Sequence, residues 1–231
     1  MNKILADMHT HTIASGHAYA TLTEMCKEAA NKGLEIYGIT EHSSGIPGTC
    51  ADIYFQNLRV IPRDLFGLDL RLGAEINIID YNGTLDLGQE YIDRLDFVIA
   101  GIHSVCYKFG SKEENTAAII NAIKNPNVNI ISHPDDGRCP LVQAAKEYHV
   151  LLEINNNALR DKNRKNVKEN QKLIIENCKK YNHPFIMGSD AHFTTDIANY
   201  DHCGPLVESM NVDNELIMNY YPDRLREFLR K

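Results

Sequence analysis

Short apolar runs, many of them rich in β-branched residues, recur near 3–8, 35–40, 71–76, 96–101, 128–132, 150–154 and 184–188. Each has the length of a strand, and their near-continuous apolar character is that of parallel strands covered on both faces. The segments between them carry helical spacing instead. Thr21-Leu22-Thr23-Glu24 reads as a capping box, after which Leu22, Met25, Cys26 and Ala29 share one face. Val142, Ala145 and Tyr148 or His149 form a second such face, and Val167, Ile174, Cys178 and Tyr181 a third. Seven strands alternating with helices predict an α/β protein on a parallel sheet. Periodicity alone admits either an open doubly wound sheet or a closed barrel. The stretch 45–62 is the longest irregular segment, with a short helix expected over 54–59. No strand is expected beyond about Asn199, and Pro222-Asp223-Arg224 begins a last helix. This tail should pack outside the sheet or close a barrel.

Composition sets limits on function. The 231 residues hold no low-complexity tract, long linker or internal repeat and read as one domain, 1–231. With 43% hydrophobic and 24% charged residues, the chain has the make-up of an ordinary soluble globular protein. Asp and Glu outnumber Lys and Arg by 31 to 24, for a formal charge of −7. That balance argues against a long nucleic acid or an anionic membrane as partner. Bound divalent cations would cancel much of it. No apolar run has membrane-spanning length, and the N-terminal residues lack a signal-peptide pattern. Six scattered cysteines without a CxxC pair read as reduced thiols, so a cytoplasmic location is expected.

The chemistry lies in where the histidines fall. Seven of the ten follow a predicted strand or lie in the loop after it: His9, His11, His17, His42, His103, His133 and His192. Glu75 ends the third strand and Asp190 follows the seventh. In a parallel α/β protein the C-terminal ends of all strands open on one face, where sites are built. Taken singly, each motif is as well explained by a packed or surface histidine. Jointly, nine ligand-type residues converging on one rim have no such explanation. His149, His183 and His202 fall elsewhere and read as packing or surface residues.

Neutral imidazoles and carboxylates suit Zn²⁺, Mn²⁺ or Fe²⁺, and nine of them would accommodate two or three ions. Zn²⁺ is the default for a His-rich set. Glu75 and Asp190 are the natural bridging groups, because a carboxylate can present separate oxygens to two cations. Closely spaced metals activate a shared water and clamp an in-line displacement at phosphorus, so phosphate-ester hydrolysis is the chemistry such a cluster serves best. Other phosphatase chemistries lack their signatures, for there is no Cys-x5-Arg loop, Asp-x-Asp, GxxxxGK[ST] or GxSxG. Arg59 and Arg63 are the first candidates to bind the phosphate dianion, with Arg138 and Arg160 behind them.

At these residues the sequence resembles the PHP (polymerase and histidinol phosphatase) superfamily, and within it the small YcdX-type phosphatases. The resemblance is carried by His9-Thr10-His11, Ser15-Gly16-His17-Ala18, Thr40-Glu41-His42, Gly73-Ala74-Glu75, Gly101-Ile102-His103, Ser132-His133-Pro134 and Gly188-Ser189-Asp190-Ala191-His192, together with Asn57-Leu58-Arg59-Val60-Ile61-Pro62-Arg63 and Leu152-Glu153-Ile154-Asn155-Asn156. It runs from residue 5 to the C-terminal helix. It implies a distorted seven-stranded (β/α)7 TIM-like barrel with the site at its C-terminal face. It also implies three divalent ions: one on His9, His11, Glu75 and Asp190, a second on Glu75, His103 and His133, and a third on His17, His42 and His192. The implied activity is hydrolysis of a small-molecule phosphate monoester by a metal-activated hydroxide. Two positions depart from the family pattern: Glu41 stands where the motif usually carries Asp, and Ser104 follows His103 where an acidic residue is expected.

Two other functions fit the same residues. A nuclease or nucleotide phosphodiesterase could use the same cluster, and a non-catalytic metal-binding module would retain the ligands without the reaction. Specificity should lie in loops 44–62, 104–114 and 134–140; the sequence does not set the oligomeric state, although an enzyme of this size often associates into a homo-oligomer.

Overall fold

The computed structural model describes residues 2–134 and 136–229. Seven strands follow the predicted runs: β1 (Ala6–Asp7), β2 (Ile36–His42), β3 (Asp69–Asn77), β4 (Val98–Gly101), β5 (Ile130–Ile131), β6 (Leu151–Asn155) and β7 (Phe185–Gly188). All pair in parallel with their sequence neighbours in the order β1 to β7. The connections carry α1 (Leu22–Asn31), α2 (Ile53–Asn57), α3 (Gln89–Ile92), α4 (Lys112–Ile123), α5 (Cys139–Tyr148), α6 (Asn156–Arg160) and α7 (Val167–Tyr181). The tail adds α8 (Cys203–Ser209) and α9 (Pro222–Leu229) and no further strand among the described residues.

Local sequence accounts for the helix starts. Thr21 and Glu24 form the expected capping box on α1, and Ser111 and Glu114 form a second on α4. The predicted faces are buried at Met25, Cys26 and Ala29, at Val142 and Ala145, and at Val167, Ile174 and Cys178. The irregular stretch contains α2, extended by a 3₁₀ turn over Leu58–Val60.

Side chains alternate across each strand, and the two sets build different layers. One set, with Ile36, Ile99, Ile130, Leu151 and Ile186, forms a compact cluster with Ala6, Met8 and Phe97. The other, with Tyr37, Val98, Ile131, Leu152 and Phe185, packs against the helices. The first set fills a barrel, closed below by Met218, Leu225 and Leu229 from the tail.

The barrel is nearly closed, and the tail completes it. Above, His11 N–H donates to Ala191 O (2.8 Å) and Asp190 N–H to His9 O (3.0 Å). Below, Asn219 fills the seam between β1 and β7. Its Nδ2 donates to Ala6 O (2.9 Å) and Met187 O (2.8 Å), and its Oδ1 accepts from Met187 N–H (2.8 Å). Periodicity left an open sheet and a barrel as alternatives; these bonds make it a barrel. No helix among the described residues is long and apolar enough to cross a membrane.

Candidate metal centre

All nine expected ligands meet at the C-terminal end of the barrel. Glu75 lies at the middle, 1% exposed. Its Oε2 is 3.2 Å from His9 Nε2, 3.5 Å from His11 Nε2 and 3.1 Å from His42 Nδ1. Its Oε1 is 3.3 Å from His103 Nε2 and 3.0 Å from His133 Nε2. Asp190 Oδ1 approaches His11 Nε2 (3.3 Å) and His9 Nε2 (3.6 Å) from the other side. His17 lies beside His42 and His192, with ring centroids 5.0 and 4.9 Å away.

The outer partners of these rings decide which nitrogen carries the proton. His9 Nδ1 lies 2.7 Å from Glu153 Oε1, which can only accept, so the proton is on Nδ1 and the Nε2 lone pair faces inward. His11 Nδ1 lies 3.1 Å from Ser15 Oγ, whose own hydrogen is committed to Glu41 Oε2 (2.5 Å). Ser15 therefore accepts, and His11 Nε2 is also a lone pair. Carbonyl oxygens play the same part for His17 Nδ1 (Ser15 O, 3.0 Å) and His192 Nδ1 (Asp190 O, 2.9 Å). As neutral imidazoles, His9 and His11 thus turn lone pairs toward each other and toward two carboxylates, with no donor among them. Two atoms bound to one ion at about 2.0–2.2 Å are held roughly 3–3.5 Å apart, which is the spacing seen here. His42 Nδ1 adds a buried nitrogen without a hydrogen-bond partner, out of line with the Glu75 oxygen beside it. The cluster fits divalent cations.

Electrostatics agree. Burial holds His11 down to about 4 and His42 to about 2, so both are neutral imidazoles. Burial also lowers His9, but Glu153, Glu75 and Asp190 outweigh it, so positive charge is favoured at that ring, whether as a second ring proton or as a cation in place of that proton. Burial raises Glu75 and Asp190, yet the surrounding imidazoles, His9 foremost, bring both well below the usual carboxylate range.

Three compact groups stand out, each with ligand atoms within 4.8 Å of one another: His9, His11 and Asp190; His11, His42 and His192; and His42, Glu75 and His103. The first matches a set implied by the family resemblance. The others share His42 and His11 between neighbouring groups, so seven of the nine residues form one continuous cluster, joined by His133 through Glu75 Oε1 and by His17 through its ring contacts with His42 and His192. Two ligands have left-handed backbones, His133 (φ 28°) and Asp190 (φ 55°), a conformation that costs free energy and concentrates at functional sites.

The supporting residues are less visible in sequence. Glu153 binds His9 through one oxygen and the backbone N–H of His133 (2.8 Å) through the other. A Cβ on Gly188 would lie 1.7 Å from Glu153 Oε1, so only glycine admits that carboxylate. A carboxylate inside the apolar run 150–154 was a readable signal. Glu41 accepts from Ser15 Oγ, Thr12 Oγ1 (2.5 Å) and Thr12 N–H (3.1 Å). It therefore acts on His11 through Ser15, whose Oγ also accepts from the His42 backbone N–H (3.2 Å).

Seven of the nine expected ligands, all but His9 and His11, form one end of a cavity of about 890 Å³. Its walls include Ile46, Ile102, Val105 and Phe109, and the cations Lys112, Arg164 and Lys165. Two of the three expected specificity loops contribute, through Ile46 and through Ser104 to Lys112, whereas no described residue of 134–140 lines the cavity and the segment 157–170 forms a wall not anticipated from sequence. Arg59 and Arg63 require a correction. Neither lines this cavity: Arg59 lies on a separate surface groove along α2. Arg63 is bound to Asp96 (2.7 Å) and to the carbonyls of Leu58 and Ile61. Loop proximity suggested them, but the loop runs down the barrel wall. Arg138 pairs with Asp136 and Glu113, and Arg160 with Asp196.

The PHP domain family pattern matches residues 7–225. A "probable phosphatase" of Caldicellulosiruptor saccharolyticus is 47% identical over 97% of this chain and 95% of its own length. Another of Acetivibrio thermocellus is 42% identical over 99% and 96%. Among solved structures, the histidinol phosphate phosphatase of Lactococcus lactis, complexed with zinc, L-histidinol and phosphate, superposes with a TM-score of 0.63. It is 17% identical and covers 91% of this chain and 95% of its own, a likeness of fold. A family pattern over nearly the whole sequence, with relatives of matching length, shows that this chain belongs to the PHP domain family.

Proposed function

We propose that the protein is a divalent-metal-dependent phosphatase of small-molecule phosphate monoesters, acting as a single PHP domain in the cytoplasm. The observation that carries this reading is the convergence of His9 Nε2 and His11 Nε2 on each other and on the Glu75 and Asp190 carboxylates, with the Nδ1 atoms of both rings bound on the far side. The proposed assignment is three ions, most simply Zn²⁺, with Mn²⁺ or Fe²⁺ suiting the same ligands. His9, His11, Glu75 and Asp190 would hold one; Glu75, His103 and His133 a second; His17, His42 and His192 a third. When bound, such cations supply Lewis acidity, acidifying water and neutralising phosphate charge.

The chain's own residues do the rest. Glu75 turns one oxygen toward His9, His11 and His42 and the other toward His103 and His133, so it joins both halves of the cluster. Glu153 keeps the His9 proton on Nδ1, away from the substrate side. Lys112, Arg164 and Lys165 offer positive charge to a phosphate held against the ligands. Beside His133, a smaller recess of about 60 Å³ lined by Ile78, Ile102, Phe109 and Ile119 suits a short apolar part of the leaving group. The printed names of the full-length relatives support the phosphatase reading.

The test is hydrolysis of an aryl phosphate monoester and of the corresponding diester, after chelation and again after Zn²⁺ or Mn²⁺ is restored. Monoester hydrolysis that disappears and returns is expected. Exclusive diester hydrolysis would transfer the site to the phosphodiesterase reading, and activity indifferent to chelation would remove the metals from it.

A further inference from the structure

We propose that Asp86 is a positioning residue that sets the tautomer of His103 through the side-chain amide of Asn77. His103 Nδ1 lies 2.7 Å from Asn77 Oδ1, and its Nε2 points at Glu75 Oε1 (3.3 Å). Which way the His103 proton lies depends on which end of the Asn77 amide faces it, and Asp86 decides that. Asn77 Nδ2 donates to Asp86 Oδ2 (2.6 Å) and to Ser43 Oγ (2.9 Å). A carboxylate only accepts, so the amide nitrogen must face Asp86 and the amide oxygen must face His103. His103 then carries its proton on Nδ1 and turns a lone pair into the cluster.

Asp86 is itself held by a full set of donors. Oδ1 accepts from Ser43 Oγ (2.5 Å) and Asn77 N–H (3.0 Å), and Oδ2 also accepts from Gly45 N–H (3.1 Å). A Cβ on Gly45 would lie 2.4 Å from Asp86 Oδ2, so the loop after β2 reaches this close only through glycine. Asn77 and Ser43 are fully buried. The arrangement therefore ties three strand ends together: Ser43 and Gly45 after β2, Asn77 at the end of β3 and His103 after β4.

Asp86→Asn removes half of this acceptor capacity while keeping the shape. With an amide nitrogen in place of Oδ2 at position 86, Asn77 can turn over, accept from that nitrogen through Oδ1 and present Nδ2 to His103. His103 would then accept at Nδ1 and carry its proton on Nε2, aimed at Glu75. Exchanging the pair, Asn77→Asp with Asp86→Asn, restores an acceptor-only group beside His103.

The usefulness of an inward lone pair rests on the metal reading above, but the tautomer does not, because it is read on metal-free protein without substrate. Long-range ¹H–¹⁵N correlation of the imidazoles, with His103 identified by the signal lost in His103→Gln, reports it directly. The wild type should show Nδ1–H, Asp86→Asn should move His103 to Nε2–H, and the exchanged pair should return it to Nδ1–H. Metal affinity in Asp86→Asn should fall about 10- to 100-fold, with recovery in the exchanged pair. A wild-type His103 protonated on Nε2 overturns the proposal whatever the variants do. So does a folded Asp86→Asn protein with unchanged tautomer. If the single variant does not fold, the exchanged pair decides: Nδ1–H is expected there and Nε2–H overturns.

Discussion

The Nε2 atoms of His9 and His11 lie 3.1 Å apart, and the partners of both rings, Glu153 and Ser15, put the protons on the far nitrogens. Two facing lone pairs repel unless a cation lies between them or one ring gains a proton. Metal removal should therefore destabilise the fold. With a cation at about 100 times its dissociation constant, the folded state gains roughly 2.7 kcal/mol. Urea unfolding followed by circular dichroism, with and without chelator, should show that shift; coincident curves would speak against a cation in this cluster.

Glu153 serves His9 and the His133 backbone at once. Glu153→Gln leaves one oxygen for three donors, so either His9 loses its tautomer or His133 N–H and Asn155 Nδ2 lose their acceptor. Metal affinity should fall about 10- to 100-fold with secondary structure intact, read by competition against a chromogenic chelator. Unchanged affinity would reduce Glu153 to a packing role.

Positive charge on the cavity wall separates two groups of arginines. Arg164 lies close enough to His133 for its charge to be felt there, whereas Arg59 lies on another surface. Arg164→Ala should raise KM for an aryl phosphate on the order of tenfold. Arg59→Ala should leave kcat/KM unchanged. The opposite ranking would restore the loop after β2 as the phosphate-binding segment.

Asn219 bridges β1 and β7 through three side-chain bonds while fully buried. Asn219→Ala leaves Met187 N–H without this acceptor and the Ala6 and Met187 carbonyls with only the long contacts of the Tyr200 hydroxyl on the seam side, at a cost of roughly 2–4 kcal/mol. The chain contains no Trp, so urea unfolding is followed by circular dichroism. A loss below about 1 kcal/mol would mean that the seam is held elsewhere.

His183 gives a pH dependence away from the ligands. Burial lowers it to about 4, and its Nε2–H donates to Val150 O (2.9 Å). In the unfolded chain it titrates near about 6.5. Between these values the unfolded state binds the extra proton, so stability is full above about pH 6.5 and falls as the pH drops toward 4. From pH 7 to 5 the contribution is about 2 kcal/mol. Urea unfolding of His183→Gln at both pH values should lose about that much less than wild type; equal losses would contradict it.

The strands and the convergence of the nine candidate ligands were legible because both signals are local. Apolar runs mark parallel strands, and a ligand such as His42 or Asp190 sits at or just after its strand end. The residues that orient the ligands were not. Glu153 is 144 positions from His9, and Asn219 is 213 from Ala6, so only the closed barrel brings them together. Asp86 lies in the loop after β3, where it reads as a solvated turn carboxylate until Ser43, Gly45 and Asn77 surround it. Arg63 misled for the converse reason. It is near the site loops in sequence, but Asp96, just before β4, draws it toward the opposite end of the barrel.

The most direct measurement is titration of metal-free protein with Zn²⁺ or Mn²⁺, following bound metal and aryl phosphate hydrolysis in one experiment. Uptake should reach three equivalents, hydrolysis should be absent at zero and rise as the cluster fills, and His9→Ala should bind less metal and stay inactive. Full hydrolysis by metal-free protein, or by His9→Ala, would contradict a phosphatase built on this cluster.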